Sequence, residues 1–213
     1  MKHLLIVGAR GWGREVYNEC IINSAYLGGE YDVKGFLDSK IDALDGLRGE
    51  YPPILCAPEE YDIQIDDIFF IALGDPIWRK HYANLIENKG GKFHTIISDK
   101  ASVFPTAIIG EGSFIGGWTS ISDNVTLGKH VILHGFSSLG HDVKVGDYSS
   151  LLSYTFLGGY ADVGTLSTIN PKAMIIPHKK VGNNCVVGAG SVVIRNVKDG
   201  AHVMGNPATK MEF

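Results

Sequence analysis

Two histidines stand seven residues apart in the stretch LHGFSSLGHDVKVG, His134 and His141, and an acidic residue, Asp142, follows the second. Imidazole titrates near neutrality and can take a proton from an attacking amine or hydroxyl. A carboxylate beside it would fix its tautomer and stabilise the imidazolium. Neighbouring residues of an extended strand point to opposite faces, so pairing His141 with Asp142 requires a local irregularity, or else a carboxylate from elsewhere. The plain alternative is a pair of solvated surface imidazoles. A second constellation lies near the start, where Gly8, Gly11 and Gly13 follow an apolar run and precede residues at helical spacing. A strand-to-helix turn of this kind can offer backbone N–H groups and a helix N-terminus to a phosphate, or be a tight turn and nothing more. The spacing is GxxGxG and not the dinucleotide fingerprint GxGxxG, so no nicotinamide cofactor is expected. Asp38 and Asp75 each follow an apolar strand-like run, where α/β sheets place ligands. Asp38 could accept hydrogen bonds from a base or ribose; either aspartate fits an ordinary turn equally well.

The elements that must hold these residues differ between the two halves. Up to about residue 95, strand-like runs (HLLIVGA, DVKGFLD, IFFIAL, KFHTIIS) alternate with helical patterns (REVYNECIINS and PIWRKHYANLIENKGG). Pro76 suits the start of the second helix and Gly90-Gly91 its end. Short connections between such elements predict a small parallel, Rossmann-like α/β sheet. From Val103 to Val193 the period changes to six. All sixteen residues taken at every sixth position are Val, Ile or Leu, which composition alone would yield roughly three times in a million. Two positions earlier the residue is small or β-branched, Lys179 being the clear exception, and one position later nine of the sixteen are glycine. Six residues make one short strand and one corner, where glycine is expected to accept backbone angles that a Cβ resists. Three faces make an 18-residue coil, and stacked coils bury one another's apolar positions. The expected division is residues 1–97, α/β, and 98–213, an all-β parallel β-helix with a C-terminal tail.

The register makes the histidines legible. His134 occupies a corner position usually held by glycine, and His141 follows the corner glycine Gly140, so both should project outward. Eighteen residues beyond His141 is Gly159, which should stack upon it. A Gly158-Gly159 backbone N–H there could face the oxyanion of a tetrahedral intermediate. Composition adds exclusions. A net charge of −4 with no basic run gives nucleic acid nothing to track along. Three scattered cysteines make neither a disulfide framework nor a zinc knuckle, no stretch is long enough to span a membrane, and a cytoplasmic protein is expected.

The unbroken hexapeptide array resembles the left-handed β-helix acyltransferases, and handedness is implied by that resemblance. GARGWGREV, GHDVKVGDYSSL and the closing VVGAGSVVIRNVKDGAHVMGNPATK are together similar to bacterial sugar acyltransferases of the PglD/NeuD type, over nearly the whole chain. The resemblance implies an acetyl-CoA-dependent transferase, a homotrimer with active sites between neighbouring prisms, and an acceptor that is an amine of a nucleotide-linked deoxyamino sugar or a hydroxyl of sialic acid. It assigns His141 as general base. It makes Gly8, Arg10, Gly11, Trp12, Gly13, Asp38, Asp75 and His134 candidates for the acceptor. Ser150, Gly159, Gly188, Ala189, Gly190, Arg195, Pro207 and Lys210 become candidates for the acyl-coenzyme A site. Three departures stand out: Trp12 where the family commonly has histidine, Arg10 where the residue is often small, and Ser150 where some members carry a second histidine. Two readings of another class are a γ-type carbonic anhydrase-like hydratase, for which His134 and His141 supply two ligands with His130 out of register, and a non-catalytic scaffold. No metal is expected, since zinc needs a defined ligand set.

Overall fold

The computed structural model describes residues 1–211, which divide into two compact units, residues 1–95 and 96–211. The first is a five-stranded parallel sheet made of β1 (Lys2–Val7), β2 (Tyr31–Leu37), β3 (Ile54–Cys56), β4 (Asp67–Ile71) and β5 (Lys92–Phe93), in the order β3-β2-β1-β4-β5. β1 lies at the centre, and Leu4, Leu5, Ile6 and Val7 are buried there as a continuous apolar run, as a strand covered on both faces requires. The helices are α1 (Gly11–Ile21), α2 (Ser24–Leu27) and α3 (Pro76–Asn88). Asp75 caps α3, its Oδ1 accepting from the N–H groups of Ile77 and Trp78, with Pro76 in the first turn.

The glycine cluster is resolved differently from a simple turn. Gly8 ends β1 with φ +101°, whereas Gly11 and Gly13 already belong to α1. A methyl group on Gly13 would overlap the carbonyl oxygen of Gly8, so a residue without Cβ lets the helix start directly against the strand it follows. Gly13→Ala is expected to destabilise this unit by roughly 2 kcal/mol, as overpacking does. The check is the urea midpoint of the α/β unit, and an unchanged midpoint would show that the turn relaxes freely.

The second unit is a left-handed parallel β-helix. Its strands are two residues long and pair with residues 18 away, Ser120 with Ser138 and Ser138 with Phe156, for example. They form three sheets, and the two-residue strands run from Ile96–Ile97 to Val192–Val193, about five coils. Ile115, Ile121, Leu133, Leu139, Leu151, Leu157, Ile169 and Ile175 fill the interior. Small interior neighbours carry hydroxyls that bond backbone carbonyls, as Ser149 Oγ does to Gly164 O at 2.6 Å and Ser167 Oγ to Gly182 O at 2.8 Å, which satisfies these buried hydroxyls. Among the described residues no helix is long and apolar enough to cross a membrane.

The corners correct one expectation. The glycine after each interior aliphatic residue does not take the positive-φ conformation. That falls two residues later, on twelve non-glycine residues at every sixth position from Trp118 to Asn184, with φ between 54° and 64°. The glycines are needed for a different reason, the close approach of successive coils. A methyl group on Gly140 would lie 2.7 Å from the backbone nitrogen of Gly159. A non-glycine residue at positive φ costs roughly 1–2 kcal/mol. Coil stacking must offset that cost at every corner, so the positive-φ residues line up in columns 18 residues apart.

Candidate functional site

His141 and Asp142 lie on the edge where the chain turns from Ser138–Leu139 to Lys144–Val145. Asp142 is one of the positive-φ corners, at φ 59°. That is the irregularity which brings its carboxylate back beside the preceding imidazole, and His141 Nδ1 lies 2.8 Å from Asp142 Oδ2. The other carboxylate oxygen accepts from Asn124 Nδ2 at 2.6 Å. His141, then the Asn124 amide, with the Tyr160 hydroxyl a weaker contributor, hold the Asp142 carboxyl below the usual aspartate range. It is therefore ionised wherever the imidazole could act as a base.

The far side of the His141 ring lies over Gly159, as the 18-residue register predicts. A methyl group there would come within 2.8 Å of Nε2. Gly159 O accepts from His178 N, while none of the hydrogen bonds among the described residues is donated by Gly159 N–H. Tyr160 sets its ring edge-on to His141 at 5.1 Å and stacks on His178 at 4.8 Å. Asn124, Tyr160 and His178 were not singled out from sequence. Counting 18 backwards and forwards from Asp142 finds all three.

Other expected residues lie apart from this pair. His134 is half-buried on the preceding edge, its ring 6.3 Å from that of Phe114, so one chain does not bring the two histidines together. Ser150 is 2% exposed and sits on a flat face, paired with Ile132 and Thr168. Its hydroxyl is enclosed within this chain rather than presented at the His141 edge. Gly188 is buried against the Met204 side chain, and Ala189, Gly190, Arg195, Pro207 and Lys210 are exposed around the last coil and the terminal hairpin. Arg195 continues the column His141, Gly159, Pro177 along one edge. The register tightens just after it, where Val197 bridges to Val181. His130 is buried on a third edge, stacked on Tyr148 at 5.1 Å. Among the described residues, no three His, Cys, Asp or Glu side chains gather as a metal-binding group.

The α/β unit has a cleft of about 530 Å³ at the carboxyl ends of β1, β2 and β4, lined by Gly8, Arg10, Trp12, Asp38, Asp75, Trp78 and Tyr82 among others. Gly11 and Gly13 do not line it. Arg10 is the N-cap of α1 and makes no side-chain capping bond. Asp38 is already engaged, with Oδ2 accepting from Ala9 N and Oδ1 from Lys40 N, both at 2.9 Å. It shapes the strand-to-helix turn as well as facing the cleft. Asp75 likewise has one oxygen committed to the α3 cap. The buried Arg79 donates from Nη1 to Leu73 O at 2.7 Å and Gly74 O at 3.2 Å, pinning the loop that forms one wall. Trp78 and Tyr82, four residues apart on α3, are aromatic walls that sequence reading passed over.

A parallel α/β unit followed by a hexapeptide prism is also what the comparisons with known proteins find. Residues 3–86 match the PglD N-terminal domain. No curated protein matches the chain by sequence. Among solved structures, the acetyltransferase domain of PglB from Neisseria gonorrhoeae is 26% identical, with a TM-score of 0.85 over 99% of this chain and 100% of that one. Perosamine N-acetyltransferase from Caulobacter crescentus is 24% identical, with a TM-score of 0.86 over 100% of this chain and 98% of that one. WeeI from Acinetobacter baumannii is 22% identical, with a TM-score of 0.73 over 99% and 100%. At these identities the latter two show the shared fold.

Proposed function

We propose that this protein transfers an acetyl group from acetyl-CoA to the amino group of a nucleotide-linked deoxyamino sugar, with His141 as general base. The observation that carries it is the His141–Asp142 pair, at 2.8 Å, with the imidazole lying over Gly159. If Asp142 holds the Nδ1 proton, Nε2 is the basic nitrogen. It takes a proton from the acceptor amine as that amine attacks the thioester carbonyl. The developing oxyanion is stabilised by the Gly159 N–H. Collapse of the tetrahedral intermediate expels coenzyme A as thiolate, to which the imidazolium returns the proton, and leaves the amide.

The register supports a course for the coenzyme along this edge. Arg195 stands three coils from His141 along one edge, about 14 Å at the usual strand spacing. An extended pantetheine arm covers that span, so a guanidinium there meets the coenzyme's phosphates while the thioester lies at His141. Relatives support the ligands: the Neisseria domain has been solved with acetyl coenzyme A, and the Caulobacter enzyme with CoA and GDP-perosamine. The cleft in the α/β unit is assigned to the nucleotide.

The test is release of free coenzyme A thiol from acetyl-CoA across nucleotide-linked 3-amino and 4-amino deoxy sugars, sialic acid and CMP-sialic acid. Rapid release with one amino sugar is expected. Release with sialic acid alone would replace amide formation by ester formation, and no release with any acceptor would overturn the proposal.

A further inference from the structure

We propose that Asn124 is a positioning residue for the His141–Asp142 pair, acting from the neighbouring coil. It occupies the same corner as Asp142, 18 residues earlier, and donates from Nδ2 to Asp142 Oδ1 at 2.6 Å. That bond holds the carboxylate by one oxygen and turns the other towards His141 Nδ1. Asn124 is itself tied down: its backbone N–H donates to Thr106 Oγ1 at 2.9 Å, and the Thr106 hydroxyl donates to Asp123 Oδ1. A polar ladder thus runs along one edge, from Thr106 through Asn124 and Asp142 to His141. The role rests on His141 being the base.

Asparagine tolerates positive φ better than most residues, and Asn124 has φ 56°, so backbone preference alone could account for its presence. Glycine separates the two explanations because it keeps the backbone conformation and removes the amide. Without the amide the carboxylate swings free and the Nδ1 proton loses its fixed acceptor. The neutral imidazole then divides between its tautomers, and only the Nδ1–H form leaves Nε2 able to accept a proton.

Asn124→Gly is expected to lower kcat roughly tenfold with both KM values unchanged, a fraction of what acid–base assistance supplies. The nitrogen-15 imidazole spectrum of His141 should move from the Nδ1–H form to a mixture. Asn124→Asp keeps the shape and the tolerance for positive φ but sets a second carboxylate beside Asp142. It should lower kcat likewise and move the acid limb of the pH–rate profile upward, since added negative charge favours the imidazolium. The titratable groups in contact with His141 are Asp142 and Tyr160, with His178 beyond Tyr160 and Asp123 one coil earlier, its carboxylate accepting from Thr106. Unchanged kcat and an unchanged imidazole spectrum in Asn124→Gly would overturn the proposal, and Asn124→Asp supplies the same readouts if the glycine variant folds poorly. If His141→Ala retains full activity while Asn124→Gly still alters the tautomer, the base assignment fails and takes the catalytic role with it, although the amide still orients the pair.

Discussion

On the proposed mechanism, His141→Ala is expected to lower kcat about a thousandfold and to leave the melting temperature where it was. The rate term follows from the 10²–10⁴ that a positioned base contributes. The stability term follows from exposure: the side chain stands outside the packed prism, on an edge, and its ring touches Tyr160 rather than the core. Single-turnover kinetics at saturating acetyl-CoA separates loss of chemistry from loss of binding, and a loss smaller than tenfold would remove His141 from the mechanism. The pH profile has a direction of its own. Asp142 is held below the ordinary carboxylate range by His141 and Asn124. Its loss of charge is therefore expected only at the far acid end of the pH–rate profile, below the range of an ordinary aspartate.

Gly159→Ala is expected to be nearly as damaging although it adds one methyl group. That methyl would lie 2.8 Å from His141 Nε2 and 2.9 Å from Cε1, closer than real Cβ atoms come to ring atoms. The imidazole must swing away from the place where the proposed mechanism brings the amine. A displacement of about 1 Å at a reacting group costs roughly a hundredfold. The ring is exposed and can move without opening the core, so the change should appear in kcat and barely in the thermal midpoint. Retained kcat would mean that neither the Gly159 backbone nor the ring position above it takes part in the reaction.

The prism was legible because its period is written in residue types, one interior aliphatic every six residues. What the corners do was not. Glycine after the aliphatic residue suggested unusual backbone angles, whereas the angles belong to residues two positions further on, as varied as Trp118, Asp142 and Leu166. Sequence marks the corner through the glycine that allows close stacking, and side-chain identity at the strained position is free to follow the column. Asp142 could therefore look wrongly placed for His141 while being well placed by its positive φ. Asn124, Tyr160 and His178 were hidden in the same way, since nothing local marks them. In the α/β unit, β1, β2, β4 and α3 were readable from apolar runs and caps. α2 is four residues long with nothing buried, and β3 is three residues long, so neither carries a period to read. Asp38 and Asp75 were visible as aspartates after strands, but only coordinates reveal that Asp38 divides its oxygens between its own turn and the Ala9 N–H, and that Asp75 commits one to the α3 cap.

The columns of stacked corners turn this half of the molecule into a ruler with fixed graduations. Any two groups on one edge are separated by a whole number of coils, each about 4.8 Å. The distance from His141 to Arg195 can then change only in steps. Lengthening it means inserting a complete 18-residue coil, and any shorter insertion must bulge outward or throw every later residue onto the wrong face. Spacing along the edge is thus protected against small insertions and deletions, while the chemistry at each graduation stays open to single substitutions.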